Sequence, residues 1–261
     1  MAICGNKSLC RAGFRAACDE TAEQISARLQ ERFLQSSGSG IRLISTIRRG
    51  FHGYYRWAIS TQKSELFFAG RSVLHRIQAD FSERPLQEIE LVMLRKLLQG
   101  SEIRVLFLDP RSDLISRLAI EEGQPRDGML ADLATSLGIC HRLYNMLKKS
   151  KMPPNARLHV RVYNEVPYFA YHRDGDEVIV GFYFSSALGS TSGAFEVIDP
   201  ETRRLFEGHF AAAFARAAET FIVEISPNGT IEFNYSLYDE LRAFLTKELG
   251  ERTQALLNGE Q

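Results

Sequence analysis

Strand-like and helix-like apolar patterns alternate along most of the chain, and this alternation limits the folds open to it. Residues 65–70 and 103–108 have the continuous apolar pattern of buried strands, while the apolar residues of 85–99 fall on one helical face. A helix between two strands is the usual crossover that joins parallel neighbours. We therefore expect an α/β fold, with a mixed, mostly parallel sheet and helices on both faces.

More strand patterns follow a long predicted helix whose apolar residues recur three and four apart up to Leu147 and which Pro153-Pro154 ends. These strand patterns lie close together, which predicts an antiparallel or mixed extension of the sheet. They cover residues 158–163, 168–171, 178–184 and 194–198, and a helical pattern over 205–218 follows them.

The chain divides into three predicted parts. Residues 1–40 combine a helical arm, amphipathic over 19–35, with a linker of serine and glycine. Residues 41–219 form the α/β domain. Residues 220–261 add a β-hairpin, which Asn228-Gly229 indicates, and a closing helix.

Composition excludes several classes of protein. Lys plus Arg and Asp plus Glu both number 32, so the net charge is zero, and general nucleic-acid binding, which needs a cationic excess, is not expected. No apolar run reaches the roughly 18 residues that span a bilayer, so we expect no membrane span. The 4 cysteines form no Cys-x-x-Cys pair, which favours a reducing compartment, the cytoplasm, and argues against a zinc site.

Common catalytic and nucleotide-binding motifs are absent from the sequence. It contains no Gly-x-Ser-x-Gly, no Gly-x-x-x-x-Gly-Lys-Ser/Thr, no Gly-x-Gly-x-x-Gly and no His-Glu-x-x-His. We therefore expect neither a metal nor a cofactor.

Polar residues follow the first three strands of the domain, where ligands of parallel α/β sheets bind. Arginines beside backbone amides at these strand ends suit a phosphate or carboxylate. The predicted ligand-binding residues are Arg71, Ser72, Asp109, Arg111, Arg161 and Asn164. In the alternative interpretation, Ser72 and Asp109 only cap helices and the arginines are ordinary surface residues.

His172 lies in the polar segment 171–177, between two predicted strands. A histidine held there is a candidate nucleophile or general base toward a phosphodiester. The polar neighbours favour a second interpretation, in which the segment is a hairpin turn and His172 has no catalytic role.

Several segments of the chain resemble a phospholipase D-like domain, over residues 50–219. The resemblance rests on residues 64–72, 100–112, 160–163 and 208–218, the last of which is similar to the helix that closes many degenerate members. It implies the phospholipase D-like α/β fold in a single copy, and pairing into a homodimer, because two such units form one site in that family.

The resemblance also implies that the catalytic activity of the family has been lost. Active members carry His-x-Lys with an Asp five residues after the Lys; here His172 is followed by Asp174 and Ile179 at the last two positions. A carboxylate in place of the lysine reverses the electrostatics that a phosphoryl transition state requires. The resemblance therefore implies a degenerate member, with His172 alone carried over as a nucleophile.

Three functions remain, in this order of preference. The first is a non-catalytic sensor or binding module for a phosphorylated or nucleotide-like ligand, acting in a homodimer or larger oligomer. The second is an assembly subunit that binds a partner protein through its N- and C-terminal helices. The third is a dimeric phosphodiesterase or nuclease that uses His172.

Overall fold

A computed structural model describes residues 40–45, 65–71, 73–75, 89–121, 123–166, 169–182 and 193–259. The described strands are β1 (Ile41–Ser45), β2 (Glu65–Gly70), β3 (Glu102–Leu108), β4 (Arg157–Tyr163), β5 (Phe169–Asp174), β6 (Glu177–Phe182), β7 (Ala194–Val197), β8 (Phe221–Ile225) and β9 (Ile231–Phe233). The described helices are α1 (Ile89–Leu98), α2 (Leu114–Glu121), α3 (Arg126–Leu147), α4 (Pro200–Arg216), α5 (Tyr235–Leu249) and α6 (Arg252–Asn258), with a 3-10 turn at Ala218–Thr220. The predicted arm helix at 19–35 and Ser72 lie outside the described residues.

The nine described strands form one mixed sheet in the order β1-β7-β6-β5-β2-β3-β4-β8-β9. Only the β2–β3 and β3–β4 pairs are parallel, and every other neighbouring pair is antiparallel. The α/β class is therefore confirmed, but the expectation of a mostly parallel sheet is wrong. Part of the reason lies in the connections: helical crossovers join neighbouring strands at β2–β3 and β3–β4, whereas short turns join β5 to β6 and β8 to β9 and make those pairs antiparallel.

The two faces of the sheet differ in what covers them. On the face that carries Phe67 and Tyr171, helix α4 packs through Phe210, whose ring stacks on both. The alternate residues of the central strands, such as Phe68, point to the other face and are fully buried. That face lies under the layer in which α1 and α3 pack together.

The C-terminal residues extend both the sheet and the helical layer. Strand β8 pairs with β4, and β9 pairs with β8 through the predicted Asn-Gly hairpin. Helix α6, for which the sequence offers no clear pattern, packs along α3. Helix α5 begins after Asn234, whose side chain accepts a hydrogen bond from the Leu237 amide.

Among the described residues, every helix is too short or too polar to cross a bilayer.

Candidate ligand-binding site

The carboxyl ends of the three parallel strands are tied together by backbone hydrogen bonds. The Leu108 amide donates to the carbonyl oxygen of Arg71 at 3.0 Å, and the Asp109 amide donates to that of Tyr163 at 2.8 Å. The residues that follow β2, β3 and β4 are thus neighbours at one edge of the sheet. The structure brings together Arg71, Asp109, Arg111, Ser112 and Asn164, which we call the carboxyl-edge cluster.

Asp109 orients the arginine two residues after it. Its buried carboxylate accepts hydrogen bonds from the Arg111 amide at 2.8 Å and from the guanidinium Nε at 3.1 Å and Nη2 at 2.8 Å. The remaining Nη1 donates to Glu240 of α5 at 2.8 Å. The hydrogen bond to Asp109 raises the pKa of Arg111, so the guanidinium is a permanent cation.

Asp109 does not cap the next helix, as the alternative interpretation of the sequence expected. A turn occupies residues 110–113, and α2 begins at Leu114, whose amide donates to Ser112 Oγ at 3.2 Å. The Ser112 hydroxyl also donates to Asn164 Oδ1 at 2.5 Å. The hydroxyl and the amide side chain therefore lie together beside the Asp109–Arg111 pair.

Arg71 contributes a second cation to this edge. Its side chain is buried directly after β2, and its Nη2 lies 4.0 Å from a carboxylate oxygen of Glu121, at the end of α2. Sequence reasoning missed Glu121 and Glu240, the acidic partners at this edge. Each lies on a helix and is distant in sequence from the arginine that it contacts. Their only sequence signal is a charged residue at a helix surface.

Arg161 lies away from the other predicted ligand-binding residues. It sits within β4, on the face covered by α4, where its guanidinium donates to Glu224 at 2.8 Å and to the carbonyl oxygen of Phe214 at 3.0 Å. The same guanidinium stacks 4.2 Å from the centroid of the Phe214 ring. These contacts assign Arg161 a packing role in this conformation.

His172 lies inside strand β5, and the hairpin turn follows at Gly175, which has a φ of 58°. Its side chain is only 5% exposed and its ring lies 5.1 Å from that of Phe68. At this degree of burial the imidazole is not accessible to a substrate in this conformation. The catalytic role of His172 stays a prediction.

The described residues contain no group of three or more His, Cys, Asp or Glu side chains that could hold a metal ion.

Comparisons with known proteins show the family of the chain and a weak structural likeness. The sequence model of a domain of unknown function (DUF5919) matches residues 85–215, half of the chain. No curated protein matches. An archaeal chromatin protein, TrmBL2, whose structure is described as showing a novel mode of DNA binding, is similar with 11% identity and a TM-score of 0.39, over 79% of this chain and 64% of that one. The chain thus spans under two thirds of that protein's length.

Proposed function

The chain belongs to the family of the domain of unknown function DUF5919, and from that premise we propose that it is a non-catalytic binding module for a small phosphorylated or nucleotide-like ligand. The module would be a degenerate phospholipase D-like unit that acts as a homodimer or larger oligomer. The observation that carries the proposal is the convergence of Arg71, Arg111 and the Ser112–Asn164 pair at the carboxyl ends of three neighbouring strands. Ligands of α/β sheets bind at such edges.

The charges at this edge suit an exchangeable anion. The buried carboxylate of Asp109 holds the guanidinium of Arg111 in place. Glu240 contacts the same guanidinium with a side chain that is 59% exposed. Such an exposed ion pair contributes only about 0–1 kcal/mol. A phosphate group can therefore replace Glu240 on Arg111 at little cost, while Asp109 keeps the guanidinium in place.

Replacement of Glu240 by the ligand would also change the contacts of a helix, which is how the protein could sense the ligand. Glu240 belongs to α5, so its contact with Arg111 links the carboxyl-edge cluster to the C-terminal helix. A ligand that takes the place of Glu240 changes the interactions of α5 with the edge. That difference in contacts is what a sensor needs, because a ligand shifts a conformational equilibrium only through its differential affinity.

Titration calorimetry of the full chain with inorganic phosphate and a nucleoside monophosphate tests the proposal. Arg111→Gln removes the positive charge and the Nη1 donor that the ligand would take from Glu240, and should weaken binding about tenfold, since a charge-assisted hydrogen bond contributes roughly 1.5–3 kcal/mol. Arg216→Gln is the matched control, because Arg216 pairs with Glu165 on the surface and is not part of the cluster. Absence of binding, or binding that Arg111→Gln leaves unchanged, would contradict the proposal.

The same preparation separates binding from catalysis. A phosphodiesterase that used His172 would cleave bis-p-nitrophenyl phosphate, and His172→Ala would abolish the cleavage. Cleavage that depends on His172 would show that the chain is a phosphodiesterase and not a non-catalytic binding module.

A further inference from the structure

Two buried hydrogen-bond donors, one on the sheet and one on α4, have no acceptor in the part of the chain that the structure describes. The Tyr171 side chain is 1% exposed, and its hydroxyl has no hydrogen-bond partner. The Nε of Arg203 is also buried and has none, and no ion pair is formed by the Arg203 guanidinium with any residue that the structure describes. Buried donors of this kind are rare, because burial removes their hydration without replacing it.

The two donors face the same layer. The Tyr171 ring stacks on Phe210 of α4, with centroids 5.0 Å apart. Arg203 precedes Phe210 by seven residues, which is two helical turns, so both project from the same side of α4 toward the sheet. Tyr171 on the sheet and Arg203 on the helix thus both border the layer between α4 and the sheet.

The charges nearby leave the Arg203 guanidinium without a counter-ion among the described residues. Glu207, one turn after Arg203, lies 3.7 Å from Arg173, and Arg173 also approaches Glu65 at 3.5 Å. Both acids are therefore engaged with Arg173. Burial raises the pKa of Tyr171 and the charge of Glu207 raises it further, whereas Arg173 and Arg203 lower it; the net rise keeps the phenol protonated and able to donate.

The first half of α4 leaves room for access. The buried residues of this helix are Phe210, Ala213 and Phe214, which all lie in its second half. Arg203 and Glu207 are only partly buried, so the layer near them is open to solvent at its side. A group held at Arg203 would therefore lie at the partly exposed end of α4, beside the contacts that Phe210 makes with the sheet.

We propose that Tyr171 and Arg203 form a second anion site, the α4 site, which takes the carboxylate or phosphate group of a small ligand. One oxygen of the anion accepts from the Tyr171 hydroxyl, and the negative charge lies against the Arg203 guanidinium. The α4 site shares no residue with the carboxyl-edge cluster and does not depend on the proposed function.

Titration calorimetry of the full chain with sodium acetate and with sodium phosphate, at constant ionic strength, tests the α4 site. Tyr171→Phe keeps the ring that stacks on Phe210 and removes only the hydroxyl, and Arg203→Gln removes the cation. Each should weaken binding of the preferred anion about tenfold. Arg204→Gln is the matched control, because Arg204 is the next residue on the helix and is exposed, and it should leave binding unchanged.

The outcomes are distinguishable. Acetate binding identifies a carboxylate ligand, and phosphate binding identifies a phosphorylated one. The α4 site is overturned if neither anion binds, or if Tyr171→Phe binds as tightly as the unaltered chain. If acetate does not bind, phosphate binding that is lost in Arg111→Gln but kept in Arg203→Gln also overturns it, and leaves the carboxyl-edge cluster as the anion site. If both Arg111→Gln and Arg203→Gln leave binding intact, both proposals fail.

Discussion

A single arginine on α3 stabilises the most deeply buried acid among the described residues. Glu90 of α1 is fully buried, and one of its carboxylate oxygens accepts a hydrogen bond from the Arg142 Nε. Arg142 also donates to the carbonyl oxygen of Leu257 in α6 at 3.0 Å. The sequence showed none of this, because Glu90 and Arg142 are 52 residues apart and each resembles an ordinary charge on a helix surface.

We predict that Arg142→Met destabilises the fold by roughly 3–5 kcal/mol, since it leaves a buried carboxylate without its partner. Arg216→Met is the control. It breaks an exposed ion pair with Glu165, and should leave the free energy of unfolding nearly unchanged. Urea denaturation followed by circular dichroism measures both, and equal effects of the two substitutions would contradict the prediction.

At the scale of elements, the close packing of α6 against α3 depends on a glycine. A Cβ atom added at Gly138 would lie 2.3 Å from the carbonyl oxygen of Leu257, which is backbone and has little freedom to move. Gly138 therefore permits an approach of the two helices that no other residue allows. Its position inside a long helical pattern was the one sequence signal of this contact.

We predict that Gly138→Ala destabilises the chain by roughly 1–3 kcal/mol, the usual effect of overpacking, although alanine is the better helix former. Gly208→Ala in α4 is a matched control, because nothing lies within 4 Å of a Cβ added there. That substitution should stabilise the chain by about 0.5–1 kcal/mol. Stabilisation of the chain by Gly138→Ala as well, measured by thermal or urea denaturation, would show that α6 does not pack as described.

Among the helices, α4 shows what sequence patterns can and cannot supply. Its helical pattern and the alignment of Phe206, Phe210 and Phe214 were predicted and are confirmed. Arg203 is also on this inward side, but a periodic pattern does not tell which strand lies opposite. Only the folded sheet places Tyr171 beneath the helix.

At the scale of the whole molecule, His141 makes stability depend on pH. Its ring lies 5.1 Å from Tyr238 and 5.7 Å from Phe233, so it joins α3 to α5 and β9. Burial lowers its pKa from the ordinary value of 6.5, and the positive charges of Lys148, Arg242 and Arg142 lower it further. The folded state therefore favours the neutral imidazole.

We predict that the free energy of unfolding falls as the pH drops below about 6.5, because the unfolded chain then binds a proton that the folded chain resists. Denaturation at a series of pH values measures how the free energy of unfolding changes with pH. His141→Gln should flatten this dependence between about pH 7 and pH 5. The free energy of unfolding falls a second time in more acidic solution, where Glu165 becomes protonated. The hydrogen bond with Arg216 lowers the pKa of the Glu165 carboxyl, so its protonation weakens the folded state. An unchanged slope in His141→Gln would assign the first loss to another group.

The amino-acid sequence by itself determined the kinds of elements and the α/β class, because apolar periodicity is a local property that 85–99 and 130–147 display without help from the rest of the chain. It also placed Arg71, Asp109 and Asn164 after strands, which is enough to bring them to one edge once those strands are parallel. Tertiary structure decided what depends on distant residues: the mostly antiparallel pairing, the burial of His172 and the turn of Arg161 toward α4. The direction of strand pairing and the face of the sheet to which each side chain points depend on which strands become neighbours. The packing of the whole core determines those neighbours.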